Sequence, residues 1–174
     1  CFFRELEVEV FIFDVIELYR DTVTKTPDWQ LESRNFGIKD IFKECMVVLS
    51  NACIGNPTTQ AAIFDRIWVL LSLCHVTELD VIRVFTAMFH QNIPLRLKLD
   101  ESHVSAIMKI MIGTMGTDSG LRNGAVKYVK LLRHLTKSDG KTLRRMQVAI
   151  MNQLMLPNVY KHTVEKVFDR EARM

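Results

Sequence analysis

The chain is predicted to be all-α, and three observations carry that prediction. Apolar residues recur at steps of three and four over most of its length, helix-capping residues punctuate them, and no segment past Ile38 alternates with the period of two that a half-buried strand requires. The 174 residues are 48% hydrophobic and 25% charged with a net charge of +3, an ordinary balance for a globular domain. A domain of this length buries about 70% of the surface its unfolded chain exposes. One unit spanning residues 1–174 is therefore expected, held together without metal or disulfide.

The N-terminal stretch fits two patterns. Glu5, Glu7 and Glu9 alternate with Leu6, Val8 and Val10 as in a strand, whereas Val8, Phe11, Val15 and Leu18 line one stripe of a helix. A helix is expected, because a lone strand would find nothing to pair with. Residues 22–37, carrying Pro27, read as the longest irregular connection. From Ile38 the positions Ile41, Phe42, Cys45, Val48, Leu49 and Cys53 continue one helical face, and Gly55 ends it. Asn56 directly before Pro57 opens the next helix, an N-cap followed by a proline whose missing N–H costs nothing at the first helical position. Its core face is expected to run through Ile63, Phe64, Ile67, Trp68 and Leu71.

Thr77 with Asp80 resembles a capping box in which Asp replaces the usual Glu or Gln, and Ile82, Phe85 and Phe89 form a buried stripe after it. Pro94 marks an end. Asp100 or Ser102 then opens a helix facing inward at Val104, Ile107, Met108, Met111 and Met115, with Gly113 and Gly116 marking its end. Asp118 or Ser119 opens another, lined by Leu121, Ala125, Tyr128, Val129, Leu132 and Leu135. Gly140 separates it from a last helix carrying Leu143, Met146, Ile150 and Leu154. Helices thus begin near Ile38, Thr77 and Asp118, each followed by a partner, at a period of about 40 residues, that of armadillo and HEAT repeats. A single pair cannot bury both faces. The expected fold is an armadillo/HEAT-like right-handed α-solenoid of about three helical pairs plus an N-terminal helix.

The same residues bound the chemistry. Cys1, Cys45, Cys53 and Cys74 form no CxxC pair and three of them fall in apolar runs, as reduced buried cysteines of a cytosolic protein do. No apolar run approaches the ~18 residues of a membrane span. A start at Cys1, without a basic segment and cleavage site, reads as an excised piece of a longer protein. Cys74 and His75 are adjacent, and neighbours on a helix point about 100° apart, so they do not pair as nucleophile and base. The cysteines lack the close paired spacing of structural zinc sites, and no phosphate-loop, dinucleotide, HExxH or GxSxG string is present. No catalytic residue, metal ligand or cofactor-binding residue is expected, and the chain is not read as an enzyme. The methionines Met108, Met111, Met115, Met146, Met151 and Met155 read as core filler, with an exposed groove for a partner helix as the second reading.

Charge is distributed unevenly. Residues 1–22 hold two basic against six acidic side chains, whereas residues 121–145 hold eight basic ones, Arg122, Lys127, Lys130, Arg133, Lys137, Lys141, Arg144 and Arg145, against Asp139. This basic stripe is the candidate interaction surface. A solvated face is its simplest reading, an acidic neighbouring domain or subunit the next, and phosphoinositide or nucleic acid the last, since aromatic residues do not interleave the cations.

Residues 42–64, FKECMVVLSNACIGNPTTQAAIF, resemble the ryanodine and inositol trisphosphate receptor homology domain, in which a leucine-rich helix leads into N-x-C-x-G-N-x-x-x-Q and an apolar helix. The matching positions are Leu49, Asn51, Cys53, Gly55, Asn56 and Gln60, with Pro57 in the turn. Residues 128–154 look like the family's later helix pair around a Gly-Lys turn, at Lys130, Leu132, Gly140, Lys141, Gln147 and Leu154. The resemblance covers residues 38–154, with the N-terminal helix and the tail after Pro157 matching poorly.

The resemblance implies a cytosolic armadillo-like domain of a tetrameric intracellular calcium-release channel, lying on the cytosolic face of the endoplasmic reticulum or a related store and coupling ligand binding to a distant pore. Its partners would be neighbouring domains or subunits of the same channel, with no nucleic acid, no membrane insertion of this segment and no small-molecule ligand. The alternative is a free-standing armadillo/HEAT adaptor binding a protein along its concave face, and an anionic-ligand module using the basic end is a third. Within the signature, Asn51 ends one helix and Gln60 lies early in the next. Both amides are expected to satisfy backbone groups of the turn between them.

Overall fold

A computed structural model describes residues 8–25, 36–115, 120–138 and 141–155. Among them the chain is helical apart from one two-residue antiparallel ladder. Contacts divide it into two compact units, Cys1–Leu95 and Arg96–Met174.

The first described element of this unit is α1 (Val8–Lys25), so the ambiguous stretch is helix from Val8 on, while Glu5, Leu6 and Glu7 lie outside the described residues. Its core face is not the expected one. Ile12, Phe13 and Ile16 are buried, whereas Phe11 and Leu18 of the predicted stripe stand 69% and 71% exposed. Both sets satisfy helical spacing, and packing against α2 (Phe36–Cys53) selects between them. In α2 the buried line is Phe42, Met46, Leu49 and Cys53, with Ile41 facing outward. Gly55 takes φ +66, the left-handed geometry that reverses a chain at a helix end and that glycine adopts without strain.

Asn56 then caps α3 (Pro57–Phe64) as expected: the Thr59 N–H donates to Asn56 Oδ1 at 3.2 Å, with Pro57 at the first helical position. Replacing Asn56 with Ala should lower stability by about 1 kcal/mol, read as a fall in the urea midpoint, because that N–H then lacks its acceptor. An unchanged midpoint would remove the capping role.

The next helix is split. Asp65 and Arg66 interrupt it, and α4 (Ile67–Leu73) restarts with Ile67, Leu70 and Leu71 inward. The buried positions Ile63, Phe64, Ile67, Leu70 and Leu71 keep one helical spacing across the break, and Trp68 lies off that face, 51% exposed, against its expected place in the core. The Arg66 guanidinium lies 5.9 Å from the centroid of the Phe13 ring and pairs with Glu17 at 2.7 Å, tying α1 to the break.

Thr77–Leu79 is a 3₁₀ turn, and α5 (Val81–Met88) starts after Asp80, whose φ of +51 is left-handed and whose side chain makes no capping bond. The side chain of Thr77 lies outside the described residues, and with it the expected Thr77–Asp80 box. α5 packs on α2 and α3, burying Val81, Val84, Phe85 and Met88, and the Phe89 ring meets Phe64 edge-on at 6.1 Å. Pro94 does not end a helix. It lies in the first turn of a short one, α6 (Ile93–Leu97), where Asn92 Oδ1 accepts from the Leu95 N–H at 3.0 Å.

The unit boundary falls inside α6. In the second unit α7 (Glu101–Met115) packs against α8 (Gly120–Thr136) and α9 (Arg144–Leu154), enclosing Val104, Met108, Tyr128, Leu135, Met146 and Ile150. Asp100 caps α7, accepting from the His103 N–H at 3.0 Å, while Ser102 donates to the same carboxylate oxygen at 2.5 Å from within the first turn. The Ser102 hydroxyl and the His103 N–H hold the Asp100 carboxyl below the usual carboxylate range. Gly113, expected near a helix end, lies within α7, and Gly116, Asp118, Ser119 and Gly140 lie outside the described residues. Between α8 and α9, Lys137–Ser138 (β1) pairs with Lys141–Thr142 (β2), an element with no periodic signal because it is two residues long. Of the methionines, Met108, Met111 and Met146 are buried as expected, whereas Met151 and Met155 face outward.

Candidate functional site

The turn signature is organised around Gln60, which is 2% exposed on α3. Its Nε2 donates to the carbonyls of Ala87 and His90, each at 3.1 Å, and its Oε1 accepts from Asn92 Nδ2 at 2.8 Å. The Asn92 Oδ1 in turn caps α6. The expected role is satisfaction of the local turn after Gly55. The amide instead serves the far end of α5, about thirty residues away in sequence, where the last carbonyls of a helix have no intrahelical partners. One side chain joins α3, the end of α5 and the start of α6, in a network with every member satisfied.

Asn51 does not share that role. It is exposed, and its contribution to the turn is its backbone carbonyl, which accepts from the Ile54 N–H at 3.2 Å. Gly55, Asn56 and Pro57 act as expected, through conformation and capping. Asn92 was missed, although an asparagine two residues before Pro94 is the same cap-and-proline signal read at Asn56.

The basic residues divide into groups. Lys127, Lys130 and Arg133 are exposed on α8, Lys137 is exposed in β1, and Arg144 and Arg145 are exposed at the start of α9. The ladder pairs Lys137 with Thr142, and the Leu143 N–H donates to Thr136 O at 2.8 Å, so the chain doubles back and brings the first turn of α9 beside the last turn of α8. Arg144 and Arg145 therefore stand at a helix N-terminus, where the backbone dipole already favours anions. Arg145 is partly committed to structure, its Nη1 donating to the Leu97 carbonyl at 3.3 Å. The side chains of Arg122 and Lys141 lie outside the described residues.

Beneath this surface sits a cation that charge counting passed over. Arg96 is 1% exposed, the largest fully buried side chain of the described residues; it donates to Lys137 O at 3.2 Å and lies 3.3 Å from His134 Nε2. Since a guanidinium only donates, His134 Nε2 is the acceptor of that contact. Arg96 thereby fixes the end of α8 and the start of β1, the backbone that carries the exposed lysines.

Burial pushes the Cys53 thiol up to about 12, and burial, with a smaller contribution from the Glu44 charge, raises Cys45 as well. Among the described residues no three His, Cys, Asp or Glu side chains are grouped to hold a metal, and no helix is long and apolar enough to cross a membrane.

A family model for the RIH domain matches residues 2–160. The chain belongs to the RIH-domain family. The match begins ahead of α1 and runs through both compact units, so the N-terminal helix, expected to match poorly, is part of the family domain and not an appendage to it. No curated protein and no solved structure matches the chain. RIH domains belong to the ryanodine and inositol trisphosphate receptor channels.

Proposed function

We propose that this RIH domain is an armadillo-like structural and relay element of an intracellular ligand-gated calcium-release channel, coupling ligand binding to pore opening through contacts with neighbouring domains or subunits. The observation that carries the reading is the family match over residues 2–160. The character of its buried polar groups supports it: Gln60 and Asn92 join helices within the first unit and Arg96 joins α6 to the end of α8 and β1 within the second, a structural use of buried polar groups that leaves no reactive site among them. In this reading the domain lies on the cytosolic face of the endoplasmic reticulum or a related store. In that setting the exposed cations of α8 and β1 meet an acidic surface of the same assembly.

The test is made in the full-length channel. Reversing Lys130, Arg133 and Lys137 to Glu should reduce agonist-evoked calcium release about fivefold or more, the scale of a modest coupling free energy, while agonist affinity stays unchanged. Normal release from a properly expressed triple variant would exclude this surface as a relay.

A further inference from the structure

α9 is apolar on two sides. Met146 and Ile150 are buried in the core of the second unit, whereas the opposite side carries Val148, Met151 and Met155, 50%, 53% and 69% exposed, in line with the exposed Arg144 of the first turn. From Arg144 to Met155 these positions are spaced by four, three and four residues, so they form one continuous stripe along the helix. The core of the unit makes no use of it. An apolar strip of this length ending in a single cation is the kind of surface that another element covers.

The sequence that follows has the complementary pattern. α9 ends at Met155, and Pro157 stops a continuation, since proline lacks the N–H and restrains the residue before it. Residues 156–174 lie outside the described residues. In their sequence Tyr160, Val164, Val167 and Glu171 are also spaced by four, three and four. On a helix these would share one face, with Phe168 at its edge and Lys166, Asp169 and Arg173 on the opposite side. Leu156, Pro157 and Asn158 separate the two patterns, a loop of the length, about 2–5 residues, that joins antiparallel helices. A chain that folds back there meets itself in one register: Tyr160 against Met155, Val164 against Met151, Val167 against Val148, and Glu171 against Arg144. A slip of one turn would set Glu171 against Val148, or Val167 against Arg144, so the charges select this pairing.

We propose that residues 159–171 form a helix that folds back antiparallel on the outward stripe of α9 and covers it, with Tyr160, Val164 and Val167 on the three apolar positions and Glu171 paired with Arg144. Met151 and Met155 then serve a partner helix supplied by their own chain, a use that suits the adaptable methionine side chain. The family match ends at residue 160, so almost all of this cover comes from sequence beyond the matched domain. The contact lies within the second unit and does not depend on the channel reading.

The test uses the full chain of residues 1–174 with Cys1 and Cys45 replaced by Ser. Met151→Cys with Val164→Cys sets two thiols on facing positions, whereas Met151→Cys with Lys166→Cys sets the second on the far side of the same helix. Under mild oxidation of dilute protein the first pair should form its intramolecular disulfide about tenfold or more faster than the second, because a disulfide needs both side chains to point at each other. Peptide mass mapping reads the linkage. Independently, amide hydrogen exchange over residues 159–171 of the parent should be slowed about tenfold or more relative to the unfolded chain. Met151→Asp, a change at an exposed position of α9, should abolish that slowing while α7 and α8 keep theirs. Equal oxidation rates for the two pairs, linkage formed between copies instead of within one, unprotected exchange over residues 159–171 in the parent, or protection indifferent to Met151→Asp would each overturn the proposal. None of these readouts involves a channel, so failure here is distinct from a failure of the release experiment.

Discussion

Gln60→Met should destabilise the chain by about 3 kcal/mol or more, a far larger effect than its near-equal volume suggests. Methionine fills the space and removes both ends of the hydrogen-bonding amide. The His90 carbonyl loses the Gln60 donor and the Asn92 amide its acceptor, while the Ala87 carbonyl keeps only the His90 N–H at 3.2 Å, and a buried polar group left without a partner costs about 1–3 kcal/mol. The urea midpoint should fall accordingly, and a midpoint within error of the parent would remove the network from the fold's stability. A companion variant isolates the donor. Gln60→Glu places a carboxylate where two carbonyl oxygens already point inward, so its protonated form is favoured in the folded state and its folded pKa is raised above the unfolded value of about 4.3. A group raised on folding contributes stability that is present below the unfolded pKa and is lost as pH rises through the folded one. Gln60→Glu should therefore be weakest at neutral pH and recover towards pH 4, and a flat profile relative to the parent would contradict the geometry.

Phe85→Ala should cost about 3–5 kcal/mol, through lost burial and the cavity left behind. Phe85 is fully buried on α5, the helix that packs against α2 and whose last carbonyls Gln60 holds. Trp68 is the instructive contrast. On sequence spacing it belongs to the same class of core aromatic, yet it stands half in water, so Trp68→Ala should cost clearly less than Phe85→Ala. Denaturation of both variants checks the order directly, and equal losses would contradict the outward position of Trp68. In the full-length channel, Phe85→Ala is expected to lower agonist-evoked release by loosening the relay while agonist affinity holds, and unimpaired release would argue against a mechanical role for the first unit.

The sequence by itself determined the class of structure and the points where the chain turns. Helical periodicity is a local property, set by which residues lie one turn apart, so the long helices of both units were legible without knowledge of their partners, whereas the five-residue α6 is too short to carry a period. Capping is local as well, and Gly55, Asn56 and Pro57 behave as their side chains and backbone freedom dictate. The family signature was legible for the same reason, since its residues sit close together.

Tertiary structure decided whatever depends on a neighbour far along the chain. α1 carries two apolar stripes, and its packing against α2, α3 and α4 determines that Ile12, Phe13 and Ile16 go inward while Phe11 and Leu18 go outward. Trp68 stands off the face that Ile63, Phe64, Ile67, Leu70 and Leu71 turn inward, because the packing of neighbouring helices picks which apolar edge is covered. Gln60 reads as a turn residue because its sequence neighbours form a turn, yet its partners lie about thirty residues on. By charge count Arg96 is one more surface cation, but folding encloses it beneath the basic surface. Hydrogen-bond partners and burial are properties of three-dimensional proximity. A pattern confined to one helix constrains them only to a face, and the neighbouring helices choose among the faces on offer.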